Sequence, residues 1–171
     1  MKKVAVFGKP GSGKSTVSKA LARANALPLH QLDSIVYKPN GEFVAREKFD
    51  AAHSDILSSE SWVIDGLGPI SSFKERLAAA DTLVYIDLPY SVSYWFVTKR
   101  FLKGLFVKPE GWPDGSSILK GTLNSYKTLK LCPKFWNEDF SSKLMEYSSC
   151  KKVYIIKTVS ELNDFSLVCE K

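Results

Sequence analysis

The chain has 171 residues, 44% of them hydrophobic and 25% charged, with a formal net charge of +6. That length suits one domain with a sizeable core, and no apolar run approaches the ~20 residues that span a bilayer, so a transmembrane protein is excluded and no membrane partner is expected. Three widely spaced cysteines, Cys132, Cys150 and Cys169, argue against a disulfide framework or a zinc site and read as reduced, partly buried thiols.

Val4 to Phe7, after two lysines, is too short for a signal-peptide core and points to a cytoplasmic chain. Lys2 to Phe7 reads as a buried strand ending at Gly8. Helical spacing of Val17, Ala20, Leu21 and Ala24 predicts a helix over Ser15–Ala24. Leu27–Leu32 is a second short strand, followed by a loop at Pro39, Asn40 and Gly41. Arg46–Ser59 reads as a helix, Trp62–Ile64 as a third strand ending at Asp65-Gly66, and Phe73–Ala80 as a short helix. Thr82–Asp87 is a fourth strand stopped by Pro89, and Ser91–Lys103 an amphipathic helix. Residues 104–117 form a glycine- and proline-rich loop, read as a lid-like insertion. A long helical region covers Ile118–Tyr147, Lys152–Lys157 is a fifth strand and Ser160–Cys169 a closing helix. Alternating strands and helices imply an α/β domain over 1–171, with a parallel sheet and helices on both faces.

Gly8 to Ser15 matches G-x-x-x-x-G-K-[ST]. Glycine lets the backbone turn its N–H groups into one concavity and approach a phosphate closely. The helix that follows aims its positive end at the same point. Lys14 reaches the β- and γ-phosphates and Ser15 offers a hydroxyl to Mg²⁺. The strand before and the helix after supply the context that the motif requires. Gly8, Lys9, Pro10, Gly11, Ser12, Gly13, Lys14, Ser15 and Thr16 are therefore the expected nucleotide-binding residues, with ATP and Mg²⁺ as cofactors.

Phosphoryl transfer also needs a metal anchor and a group that takes the acceptor's proton. Asp33, Asp65 and Asp87 all follow or end strands, where ligands sit in open parallel sheets. Asp65, at the end of Trp-Val-Ile-Asp-Gly, suits a Mg²⁺ anchor or a turn. Asp33 suits an acceptor base, a second Mg²⁺ ligand or a helix cap, while Asp87 reads as structural. His30 reads as packed in its strand and His53 as a surface residue. Arg100 ends a helix next to the glycine-proline loop and is placed to offset charge on the transferring phosphoryl group. Arg76 is a second candidate, for the acceptor. Tyr37, Phe43, Trp62 and Phe73 offer rings that either stack a base or fill the core.

The runs Gly-Lys-Pro-Gly-Ser-Gly-Lys-Ser-Thr, Leu-Pro-Leu-His-Gln-Leu-Asp, Trp-Val-Ile-Asp-Gly and Ala-Asp-Thr-Leu-Val-Tyr-Ile-Asp-Leu-Pro resemble the adenylate-kinase-like P-loop group known as topology modulation proteins. The resemblance covers residues 1 to about 105 well. It implies a five-stranded parallel sheet of nucleoside-kinase type in the order 2-3-1-4-5. It also implies Mg²⁺ near Ser15 with Asp33 or Asp65, and an adenine site between the Arg100 region and Thr158–Ser160. The chain departs from the group where arginines usually stand on the helix after Asp-Leu-Pro: those places hold Tyr90 and Phe96.

The expected function is transfer of the γ-phosphate of ATP to a nucleoside, nucleotide or other hydroxyl acceptor, with Lys14, Asp33 and Arg100 catalytic. Two alternatives stay open. One is a nucleotide-dependent regulatory protein with weak ATPase, linked to nucleic acid through the basic Lys99–Lys134 stretch. The other is a degenerate kinase that only binds ATP.

Overall fold

The computed structural model of the chain describes residues 1–36, 42–106 and 117–169. Tyr37, the Pro39–Gly41 loop and most of the expected lid lie outside the described residues. The elements in order are β1 (Lys3–Gly8), α1 (Lys14–Ala24), β2 (Leu29–Gln31), α2 (Leu32–Val36), α3 (Arg46–Ser58), β3 (Trp62–Asp65) and α4 (Ile70–Ala79). There follow β4 (Thr82–Ile86), α5 (Tyr90–Gly104), α6 (Ile118–Leu131), α7 (Glu138–Glu146), β5 (Lys152–Ile156) and α8 (Val159–Cys169).

The five strands form one parallel sheet in the order β2-β3-β1-β4-β5. The inner strands β3 and β4 are buried along their whole length, which is why they read as continuous apolar runs. Strand β5 lies at the edge and alternates exposed and covered residues. Alternation along β1 divides two cores. Ala5 and Phe7 face a layer with Trp62, Phe73, Tyr85 and Trp136. Val4 and Val6 face another with Val17, Leu21, Val84 and Leu162.

The first core is built on rings. Trp136 stacks on Tyr85 with centroids 5.2 Å apart and meets Phe140 edge-on at 4.8 Å. Each such pair adds about 0.5–1.5 kcal/mol beyond burial of its area. These contacts pull the segment after α6 down onto the sheet.

Several expectations need correction. The helical region 118–147 is not continuous. A 3-10 turn at Cys132–Lys134 interrupts it, and α7 restarts where Asn137 accepts a hydrogen bond from the Phe140 N–H. Pro133 has no N–H to continue the helical ladder. A short helix, α2, stands where a loop was expected. Of the rings left open between base stacking and core packing, Trp62 and Phe73 take the core alternative, at 0% and 2% exposure. His53 is not on the surface: it is 1% exposed and stacks on Phe49. Cys150 is exposed rather than partly buried, whereas Cys132 is buried.

Candidate active site

Strand register brings the key loops to one end of the sheet. Val6 pairs with Asp65, Gln31 also pairs with Asp65, and Gly8 pairs with Ile86. The loop from β1 to α1 therefore opens beside the ends of β2, β3 and β4. Strand β1 lies between β3 and β4, so the crevice forms where the connections diverge to either side.

Two glycines shape that loop. Gly13 caps α1 in the left-handed region, at φ 86. Gly11 has φ 68, and a Cβ there would lie 2.5 Å from the Ser93 carbonyl oxygen and 2.8 Å from Val97 Cγ2. A side chain at Gly11 would thus be strained and would collide with α5. Lys14 begins α1 and its ammonium donates to the Lys9 carbonyl at 2.7 Å. That bond holds the lysine across the loop, where a phosphate would lie.

Burial lowers the pKa of Lys14, while the charges of Asp65 and Asp33 raise it and that of Arg100 lowers it. Lys14, Asp33, Asp65 and Arg100 thus share one electrostatic neighbourhood. Asp33 stands in the first turn of α2 and is exposed. Arg100 lies on α5 and donates from Nη2 to Ser125 Oγ of α6 at 3.0 Å.

Asp65 is 5% exposed. Its Oδ2 accepts from Ser15 Oγ at 2.8 Å, and its Oδ1 is buried with no hydrogen-bond partner. Burial raises its pKa, partly offset by the charge of Lys14 and by the Ser15 hydrogen bond. A buried carboxylate with an unused oxygen beside a hydroxyl fits a divalent cation, which would compensate the charge that burial disfavours. Among the described residues, no group of three or more His, Cys, Asp or Glu side chains is gathered to hold a metal. A cation at Ser15 and Asp65 would take its remaining ligands from phosphate oxygens and water.

The other expected residues fall as follows. The side chain of Lys9 is buried, paired with Asp87 and set 4.6 Å from the centre of the Tyr90 ring. Any contact of Lys9 with a phosphate is left to its main chain. Asp87 is thereby engaged at the base of the loop. Ser12 is fully buried and its hydroxyl has no partner. Gly8, Pro10, Ser15 and Thr16 complete the loop and the first turn of α1.

Arg76, one candidate for an acceptor contact, is packed inside the fold at 1% exposure. Its Nη2 donates to the Leu67 carbonyl at 2.6 Å, its guanidinium lies over the Phe73 ring, and Nη1 has no partner. Burial pushes its pKa down to about 10, against the charge of Asp65. It braces the loop after Asp65 from beneath.

The sequence also gave no sign of Cys132 near the loop. This buried thiol senses the charges of Lys14 and Lys9, and burial raises its pKa. Its only signal was an apolar position after α6.

Solved structures of similar shape share this fold. A shikimate kinase from Acinetobacter baumannii in complex with shikimate aligns at a TM-score of 0.61 and 16% identity, over 98% of this chain and 90% of that one. The fold is that of a P-loop kinase. A shikimate kinase from Bacteroides thetaiotaomicron aligns at 0.55 and 14% identity, over 96% and 94% of the two chains. A gluconokinase from Sinorhizobium meliloti 1021 aligns at 0.52 and 19% identity, over 99% and 91%. No protein-family model matches the sequence, and no curated protein matches it. At these identities the likeness extends to the fold.

Proposed function

We propose that this P-loop kinase fold transfers the γ-phosphate of ATP, with Mg²⁺, to the hydroxyl of a small molecule. The observation that carries the reading is Asp65, a buried carboxylate bonded to Ser15 Oγ with its second oxygen unused, beside Lys14. In a site for phosphoryl transfer, that pair would hold a Mg²⁺ ion, which would supply positive charge to offset that of the phosphates. The main-chain N–H groups of Gly11 to Ser15, at the start of α1, would cradle the β-phosphate. Lys14 would follow the γ-phosphate as charge moves onto it. Asp33, exposed at the end of β2, is the base for an acceptor hydroxyl. Arg100 would supply the second positive charge from the lid side.

Shikimate, gluconate, nucleosides and nucleoside monophosphates form the test panel. The sequence motifs keep the resemblance to the adenylate-kinase-like topology modulation group as our reading within this fold.

Incubation of the protein with ATP, Mg²⁺ and each acceptor, followed by phosphorus NMR, tests the proposal. A new phosphate-ester resonance that depends on acceptor supports it. Only inorganic phosphate, at a rate that no acceptor changes, would point to the weak ATPase alternative. Nucleotide binding without any turnover would point to the degenerate kinase.

A further inference from the structure

Helices α5 and α6 carry a surface that phosphoryl transfer does not use. Along α5 and into the turn after it, Trp95, Lys99, Leu102 and Phe106 recur at helical spacing, and all are exposed. Phe106 is 89% exposed and Trp95 58%. Along α6, Leu119, Leu123, Lys127 and Lys130 form a second exposed stripe. Most of the large apolar side chains that the described fold leaves exposed lie on this helix pair and the turn after α5.

The two helices meet at a groove of about 580 Å³, lined by Tyr94 and Thr98 on one side and Leu123, Tyr126, Lys127 and Lys130 on the other. Its floor is fixed. Tyr94 stacks on Tyr126 at 5.7 Å, and Thr98 Oγ shares a hydrogen bond with the Tyr126 hydroxyl at 2.7 Å. The apolar face is thus displayed by a braced helix pair.

Charge selects the occupant. Among the described residues from Leu88 to Asn137 there is no Asp or Glu, while Lys99, Lys103, Lys120, Lys127 and Lys130 are all exposed. Glu110 and Asp114 fall outside the described residues. A second copy of this face would set lysine against lysine, which disfavours self-association. An anionic partner is required. Trp95 and Phe106 offer rings, but Leu102, Leu119 and Leu123, exposed on the same helix pair, offer none to a nucleobase and suit insertion among acyl chains. Lysines beside Trp, Phe and Leu on one helix face are the pattern of an interfacial membrane contact.

We propose that the α5–α6 face docks on an anionic phospholipid bilayer surface, without spanning it. This revises the expectation of no membrane partner, which rested on the absence of a spanning segment.

The test is sedimentation of the full chain with vesicles of phosphatidylcholine alone or mixed with phosphatidylglycerol. The protein should pellet with the mixed vesicles only and be released by salt. Lys127→Glu with Lys130→Glu should weaken binding at least ~10-fold, because each lysine near an anionic surface contributes measurably. Leu102→Ser with Leu123→Ser should also weaken it, while nucleotide binding by both variants reports an intact fold. No pelleting with anionic vesicles would overturn the proposal. So would pelleting that neither pair of substitutions changes, retention on DNA or RNA in place of vesicles, or dimerisation through this face.

Discussion

Ser15 Oγ donates to Asp65 Oδ2 at 2.8 Å, tying the first turn of α1 to the end of β3. In the function proposed above, this pair would hold the nucleotide-bound cation. Because burial raises the pKa of Asp65, its carboxylate is poorly stabilised until a cation arrives. Below the raised pKa a cation must displace the Asp65 proton, so Mg²⁺-nucleotide affinity should increase as pH rises through that pKa. Asp65→Asn should abolish that pH dependence and reduce Mg²⁺-dependent affinity by roughly 10–100-fold. Calorimetric titration with a non-hydrolysable ATP analogue across pH checks both.

Gly11→Ala tests the cradle. Its Cβ would fall 2.5 Å from the Ser93 carbonyl oxygen in a left-handed backbone. The left-handed conformation alone costs about 1–2 kcal/mol. Urea unfolding should show at least that loss, together with weaker nucleotide binding.

Arg76→Met tests the buried brace. The substitution leaves the Leu67 carbonyl without its donor and removes one of the positive charges that act on Asp65, Lys14 being the other. A hydrogen bond from a charged donor contributes about 1.5–3 kcal/mol. Urea unfolding should show a loss of that order, and adding Asp65→Asn should recover part of it in a double-mutant cycle. Strictly additive losses would place Arg76 and Asp65 outside each other's influence.

His53 should make the fold acid-sensitive. Burial lowers its pKa, Arg76 and Arg46 add to that, and Glu75 and Asp50 oppose it. In the unfolded chain His53 takes up a proton at its ordinary pKa, while in the folded chain it stays neutral to lower pH. The folded state is therefore favoured fully above the ordinary pKa and loses stability as pH falls below it. Thermal melting between about pH 7.5 and about pH 5.5 should show a larger drop for the native chain than for His53→Phe, which keeps the stack on Phe49.

The sheet was legible in the sequence because its inner strands are buried on both faces, leaving continuous apolar runs between glycines and aspartates. The phosphate loop was legible because its glycines and lysine are spaced by the geometry of anion binding. What stayed hidden depends on partners distant in sequence. Arg76 reads as a surface cation until the Leu67 carbonyl and the Phe73 ring close over it. Lys9 reads as part of the cradle until Asp87, from another strand end, draws its side chain away. His53 does lie at helical spacing with Phe49, Ile56 and Leu57, but its polar ring made it read as a surface group. The break at Cys132–Lys134 was visible as Pro133, but the aromatic run around it masked the stop.

Acceptor-dependent release of ADP, measured side by side on the native chain and Asp33→Asn, tests the central claim most directly. The account predicts that a hydroxyl acceptor raises turnover of the native chain. Asp33→Asn should lose that increment by about 10²-fold or more while binding ATP normally. Equal ADP release with and without every acceptor, unchanged by Asp33→Asn, would contradict it.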